Sequence, residues 1–173
     1  MGQDIHWKMY GKSCVEDRYV DLEEFGVDTS LYTGRSYDMF SCFGSGRSDY
    51  PHLDNLEFGM PDCLPPTTKK FFEMDRDFHT MSWWNIQTLK HSLERYVEKL
   101  KNPGLFMLDE GFKEEYFGLK EFEESYDAES RDGVVAQIKE ILQRLDYAIS
   151  DMKTWCSDII DINNVIVLVY FDN

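Results

Sequence analysis

The C-terminal part of the 173-residue chain contains an uninterrupted run of seven apolar residues, from Val165 to Phe171. Most of them are β-branched or aromatic, which favours a strand over a helix. A strand without alternating polar residues is typical of the middle of a sheet, where both faces are covered. The run is much shorter than the ~20 apolar residues that a membrane-spanning helix needs. We therefore expect a central buried strand.

A second strand is predicted near the start of the chain, over residues 4–14. Its apolar residues at positions 5, 7 and 9 alternate with polar residues that include Asp4 and His6. Side chains two positions apart on a strand project from the same face, so Asp4 and His6 should lie side by side. If the terminal strands pair antiparallel, the start of the first lies beside the end of the last. Asp172 would then lie near Asp4 and His6.

Two main helices are predicted, over about 83–101 and 131–159. Ser82 is a suitable N-cap for the first helix, and Asn102-Pro103-Gly104 would end it. The second helix carries apolar residues at alternating spacings of three and four, from Ile138 to Ile159. Such a stripe usually packs against a sheet, and it would also suit a homodimer formed through a coiled coil over 131–159.

Residues 26–68 are rich in Gly, Ser, Asp and Pro, which predicts long ordered loops with one short helix near 37–42. The chain is close to the usual size of one domain, so residues 1–173 are expected to form a single domain. The predicted fold class is α+β. It consists of a small mixed or antiparallel sheet that includes both terminal strands and is packed with the two main helices.

The net charge of −15 argues against general nucleic-acid binding, which requires Lys and Arg to neutralise phosphates. Between Asp109 and Glu129 there are nine acidic residues and two lysines. Such a tract is usually a solvated surface, although it could also bind a basic protein partner.

The four cysteines are scattered and include no C-x-x-C pair, so four ordinary reduced thiols are expected. The N-terminal sequence does not resemble a secretory signal, and His6 stands where a myristoylation motif needs Ser or Thr. We therefore expect a cytoplasmic protein without a membrane anchor.

Asp4 and His6 form the first candidate site. A carboxylate beside an imidazole can orient a general acid/base histidine, or the two side chains can supply ligands to a divalent metal. The short D-x-H pattern is weak evidence on its own, and a strand with two solvated polar residues would show it equally well.

Residues 78–84, with the sequence FHTMSWW, form the second candidate. His79 precedes the predicted start of a helix, where backbone N–H groups favour an anion. The Ser82 hydroxyl could join that site, and the Trp83 ring could stack on a planar ligand. The alternative is a capping serine followed by core aromatics.

The third candidate lies in the glycine-containing loops, where Arg35, Tyr37 and Arg47 could hold a phosphate. No Walker A motif, dinucleotide fingerprint or G-x-S-x-G elbow is present. A plain connecting loop is the alternative here.

Several short blocks occur in one order along the chain and, taken together, resemble a family. They are M-G-x-D-I-H at residues 1–6, R-x-Y-x-x-F at 35–40, G-M-P at 59–61, L-P at 64–65, H-x-x-S-W at 79–83 and F-D-N at 171–173. The series resembles a family of small uncharacterised proteins encoded by tailed bacteriophages and prophages. Residues 102–160 carry none of these blocks, and the loops at 41–47 and 59–65 depart from the family pattern.

The resemblance implies a phage origin, one domain and an infected bacterial cytoplasm as the location. It also implies that six residues gather at one place: Asp4, His6, His79, Ser82, Trp83 and Asp172. It implies no activity.

Three functions remain open at this point. The first is a small-molecule pocket that hydrolyses its ligand, with a nucleotide that serves as a host immune signal as the suggested substrate. The second is a pocket that sequesters such a ligand without chemistry, and the third is an acidic protein–protein inhibitor of a host defence factor. The catalytic and metal candidates are Asp4, His6 and His79, with a divalent metal as an unassigned cofactor; the ligand-binding candidates are Arg35, Tyr37, Arg47, Ser82, Trp83 and Asp172.

Overall fold

A computed structural model describes residues 4–46, 48, 50–74, 80–102 and 128–172. Its elements are β1 (Asp4–Ser13), β2 (Tyr19–Asp21), a 3₁₀ turn (Leu22–Phe25), α1 (Tyr37–Cys42), β3 (Glu57–Phe58), α2 (Pro66–Met74), β4 (Thr80–Asn85), α3 (Ile86–Lys101), α4 (Ala128–Trp155) and β5 (Ile160–Asp172).

The strands form one sheet in the order β2-β1-β5-β4-β3, and each neighbouring pair is antiparallel. The predicted α+β class is therefore confirmed. The apolar strand β5 is the central strand, as its continuous hydrophobic sequence predicts. It pairs along almost its whole length with β1, so the two terminal strands are neighbours.

The two faces of the sheet are covered by different elements. The core face packs against α1, α3 and α4, and its contacts include Trp7 and Met9 of β1 and Val167 of β5, which are at most 5% exposed. The opposite face, called here the α2 face, carries a smaller hydrophobic cluster in which Phe72 of α2 packs near Tyr170 of β5. The odd and even positions of β1 thus enter different environments, which is the reason for its alternating sequence.

Helix α4 confirms the interpretation that its stripe packs inside the chain. Ile138, Ile141 and Leu145 are completely buried in the core cluster. The predicted stripe is wrong at its C-terminal end. The helix ends at Trp155, whose side chain is 70% exposed, and Ile159 lies beyond the helix. A dimer through the buried stripe would therefore compete with the protein's own core.

The prediction that a helix starts at Ser82 is wrong. Residues 80–85 form β4, which pairs with β5, and α3 begins only at Ile86. The Asn85 side chain accepts a hydrogen bond from the backbone N–H of Gln87 at 3.0 Å and is the N-cap. The sequence does not distinguish Asn85 from Ser82 as the N-cap, because Asn and Ser both cap helices. Only the pairing of residues 80–85 with β5 shows that the helix begins after Asn85.

Helix α2 lies partly inside the region predicted as loops and partly just after it. Pro66 opens it, which suits proline because the first turn leaves backbone N–H groups without helical partners. The short helix predicted near 37–42 is confirmed as α1, with the Ser36 side chain accepting a hydrogen bond from the Met39 N–H.

The loop before β3 is held against α3 by buried polar groups that sequence patterns did not indicate. Lys99 is 2% exposed, and its ammonium donates to both carboxylate oxygens of Asp54 at 2.7 and 2.8 Å. Tyr96 donates to the Pro51 carbonyl at 2.7 Å, and Ser92 donates to the Asp54 carbonyl at 2.9 Å. Burial lowers the pKa of Lys99, and the hydrogen bond and charge of Asp54 oppose this effect.

All four cysteines are free thiols, as expected; Cys42 and Cys156 are buried, whereas Cys14 and Cys63 are exposed. Among the helices that the structure describes, none is long and apolar enough to cross a membrane.

Candidate functional site

The pairing of β1 with β5 places the first candidate residues together. Asp4 lies opposite Asp172 and His6 lies opposite Tyr170 in the antiparallel register. Directly paired residues project from the same face of a sheet. All four side chains therefore belong to the α2 face, at the end of the sheet where β1 begins. The prediction that Asp172 lies beside Asp4 and His6 is confirmed.

His6 and Asp172 form a hydrogen-bonded pair. Nε2 of His6 lies 2.8 Å from Oδ2 of Asp172, and the side chains are 39% and 31% exposed. The other carboxylate oxygen of Asp172 accepts from the backbone N–H of Asp4 at 3.3 Å. The aspartate is thereby fixed at both oxygens, and solvent or a ligand can still reach the imidazole.

Asp4 does not contact the His6 ring in the way the D-x-H pattern suggests. Its carboxylate pairs instead with the Arg35 guanidinium, with Nη2 and Oδ1 2.6 Å apart. The acid that orients His6 is Asp172, from the other end of the chain. Tyr37 is near Arg35 in sequence and is 47% exposed, with its ring packed edge-on against Phe40.

The Tyr170 side chain packs against one face of the His6 imidazole. Its ring is stacked on that of His6, with centroids 5.0 Å apart and planes 13° from parallel. The Tyr170 ring also contacts Phe72, at a centroid distance of 5.2 Å. Burial raises the pKa of Tyr170, so the phenol is uncharged at neutral pH. Tyr170 was not predicted as a site residue, although the antiparallel register would place it opposite His6.

A groove of about 360 Å³ adjoins this pair on the α2 face and is called here the α2 groove. Tyr10 and Tyr170 of the sheet line one side of it, and the first turns of α2 line the other. Lys8 and Asp21 also border it. The sequence pattern puts Lys8 and Tyr10 on the same face as His6, but the contribution of α2 depends on a long-range contact that no local pattern reveals.

Ser82 and Trp83, the candidate residues on β4, project from opposite faces of the sheet. Ser82 is completely buried on the core face, and within the described part of the chain its Oγ has no hydrogen-bond partner. Trp83 projects from the α2 face and packs against the smaller hydrophobic cluster. Ser82 therefore lies on the opposite side of the sheet from His6. The predicted anion site at a helix N-terminus here is wrong, because these residues are in a strand.

Two predicted residues, His79 and Arg47, lie outside the described residues, and so does nearly all of the acidic tract 109–129. Among the side chains that the structure does describe, no group of three His, Cys, Asp or Glu residues could hold a metal ion. The remaining histidines differ: His91 is exposed on α3, as expected, whereas the Nδ1 of His52 lies 3.0 Å from the Ser41 carbonyl oxygen.

The pair formed by His6 and Asp172 is suited to moving a proton. In neutral His6, an Nε2–H that donates to Asp172 leaves the lone pair on Nδ1, which can then accept a proton. The carboxylate also stabilises the imidazolium that forms. The arrangement needs no covalent nucleophile, because a histidine held in this way can activate water.

No family model, curated protein or solved structure matches this chain in the comparisons with known proteins. Function must therefore be argued from the site.

Proposed function

We propose that this protein binds a small molecule on the α2 face and hydrolyses it, with His6 as the general base. The observation that carries the proposal is the 2.8 Å contact between His6 Nε2 and Asp172 Oδ2. A carboxylate at this distance selects the imidazole tautomer and fixes the ring orientation, which a histidine without such a partner lacks. The partial exposure of both side chains leaves room for a ligand and a water molecule.

Water is the nucleophile in the proposed reaction. Nδ1 of His6 takes a proton from water while the water oxygen bonds to the electrophilic centre of the ligand. The bond to the leaving group then breaks, and the protonated imidazole returns the proton to that group. Asp172 stays ionised and holds the imidazolium in place. Arg35 is paired with Asp4 at the start of β1, with Nη2 and Oδ1 2.6 Å apart, and can stabilise negative charge that develops there.

The ligand class that we propose is nucleotide-related. Tyr10 and Tyr170 line the α2 groove, and their rings can stack on a planar base. Tyr170 also stacks on His6 of the His6–Asp172 pair, called here the dyad. The resemblance to phage and prophage proteins extends the proposal, since a phage protein could act on a nucleotide that signals infection in the host. Sequestration of the same ligand is the second candidate, because the α2 groove could hold a molecule without any reaction at His6.

The proposal is tested by incubating the pure protein with nucleotides and nucleosides and analysing the mixture by chromatography and mass spectrometry. We expect a hydrolysed product from at least one compound. His6→Gln should abolish its formation, and Asp172→Asn should slow it by roughly 10²–10⁴-fold, because the asparagine no longer selects the correct tautomer. His91→Ala removes an exposed histidine far along the chain and should retain the wild-type rate.

Two results would reject hydrolysis through the dyad. Recovery of an intact ligand from the heated protein would establish sequestration instead. A His6→Gln variant that turns over substrate at the wild-type rate would show that the reaction takes place at another part of the protein. Addition of EDTA tests the divalent metal separately, since a metal-dependent reaction would stop.

A further inference from the structure

The α2 groove has the size and lining of a small-molecule site. Its volume of about 360 Å³ lies in the lower part of the range of roughly 300–1,000 Å³ that is common for such sites. Tyr10, Tyr170, Phe71 and Phe72 supply aromatic surface, and Thr67 and Thr68 supply hydroxyl groups. Phe71 is 59% exposed and lines the groove, so its ring lies at the edge of the groove.

The groove and the dyad share a side chain. Tyr170 lines the groove and also stacks on the His6 ring at 5.0 Å. Lys8 borders the groove and is two residues from His6 on the same strand face, which is a separation of about 7 Å. A molecule in the groove therefore lies against Tyr170, whose ring also contacts the imidazole.

The charges around the groove disfavour an anion. The Lys8 ammonium is hydrogen-bonded to two carboxylates, Asp21 at 3.4 Å and Glu23 at 2.5 Å. Burial opposes the positive charge of Lys8, but the two carboxylates outweigh this effect and raise its pKa. One cation thus faces two anions. A phosphate at this position would have to displace a carboxylate or accept a neighbour of the same charge sign.

The other polar groups of the groove are uncharged. Burial is the largest cause of a raised pKa at Tyr10, and the carboxylates of Asp21 and Glu23 add to it, so the phenol keeps its proton at neutral pH. Tyr10, Thr67 and Thr68 are therefore neutral hydrogen-bonding groups. Such groups pair with the ring nitrogens, amino groups and hydroxyls of an uncharged ligand without requiring a counter-ion.

We infer that the α2 groove binds an uncharged heteroaromatic compound of the nucleoside class and discriminates against the corresponding phosphorylated form. The inference rests on the proposed function for the placement of the reacting bond near His6, and the groove itself is defined independently by its lining. The planar base stacks against the aromatic side chains, and its polar edge meets the threonine and tyrosine hydroxyls.

Isothermal titration calorimetry with adenosine, guanosine, cytidine and uridine, each compared with its 5′-monophosphate, tests the inference. We expect at least one nucleoside to bind about tenfold or more tightly than its monophosphate. Phe71→Ala should weaken that binding roughly tenfold. Tyr147→Ala is the matched control, because Tyr147 is a similarly exposed aromatic on α4, at 63%, and does not line the groove. Glu23→Gln removes one carboxylate beside Lys8 and should reduce the difference in affinity between the nucleoside and its monophosphate.

Binding of none of the four nucleosides, or tighter binding of the monophosphates, would overturn the inference. Circular dichroism of Phe71→Ala excludes unfolding as the cause of weak binding. The dyad is tested apart from the groove: His6→Gln should still bind the nucleoside. A nucleoside that binds but is never hydrolysed would refute the proposed hydrolysis and leave the assignment of the groove standing. Turnover of a phosphorylated ligand without nucleoside binding would refute the assignment of the groove and leave the proposed hydrolysis standing.

Discussion

The Cys42 thiol is completely buried, and Sγ lies 3.2 Å from the Asp38 carbonyl oxygen and 3.3 Å from the Tyr96 hydroxyl. Burial disfavours the thiolate and raises the pKa of Cys42 from 9.0 to about 12. In the unfolded chain the thiol has its ordinary pKa. Between these two values the unfolded state binds fewer protons than the native state, so stability must fall as pH rises.

We therefore predict a loss of up to ~1.4 kcal/mol of unfolding free energy per pH unit from this one group between pH 9 and 12. Urea unfolding at a series of pH values measures the slope. Cys42→Ala should be less stable than the wild type below pH 9 and show a shallower slope above it, whereas Cys14→Ala, which removes an exposed thiol, should follow the wild type. An unchanged slope in Cys42→Ala would show that the buried thiol does not contribute.

At the residue scale, the sequence predicts the site where the geometry is local or follows from strand pairing. Asp4 and His6 share a face because they are two apart, and Asp172 joins them because the terminal strands pair. The D-x-H pattern predicts Asp4 as the acid that orients His6, whereas in the structure Asp172 is hydrogen-bonded to the imidazole. Asp4 is instead paired with Arg35, which comes from a loop whose path the sequence does not specify.

At the scale of single elements, two glycines in different settings give a matched pair of substitutions. Gly44 follows α1 with φ of +100°, and a Cβ there would lie 2.9 Å from both the Phe58 ring and the Ser82 Oγ. Gly133 lies in α4, and a Cβ there would meet nothing within 4 Å. The first position is strained for any other residue, while the second only weakens a helix.

We predict that Gly44→Ala destabilises the protein by roughly 1–3 kcal/mol. Gly133→Ala should stabilise it by about 0.5–1 kcal/mol, because alanine has the higher helix propensity. Thermal and urea unfolding of the two variants measure both effects. Equal changes in the two variants would contradict the assigned difference between the positions.

Elements were predicted well where their periodicity is long and poorly where tertiary pairing decides. The strand β1 and the long helix α4 carry clear patterns over ten or more residues, and the central strand β5 carries an unbroken run of seven apolar residues. The six residues of β4 carry none, and Ser82 imitates a helix cap. Only hydrogen bonding to β5 makes this segment a strand, and that contact joins residues far apart in the chain.

At the scale of the whole molecule, the sheet separates a large hydrophobic core from a smaller, more polar face that carries the candidate site. Helix α4 belongs to the large core, where Ile141 is completely buried, although its heptad-like stripe also resembles a dimerisation surface. A role in the core and a role in a dimer interface have different consequences for stability. A core residue stabilises one copy, whereas an interface residue stabilises an assembly whose population rises with protein concentration.

We predict that Ile141→Ala lowers the unfolding free energy by roughly 2–5 kcal/mol, because it leaves a cavity in the core. The loss should be the same at low and high protein concentration, since the side chain that is removed packs within a single chain. Tyr147→Ala on the exposed side of the same helix should change stability by less than about 0.5 kcal/mol. Urea unfolding of all three proteins over a hundredfold range of concentration provides the measurement. A wild-type midpoint that rises with concentration, together with an Ile141→Ala midpoint that does not, would assign the stripe to a dimer interface instead of the core.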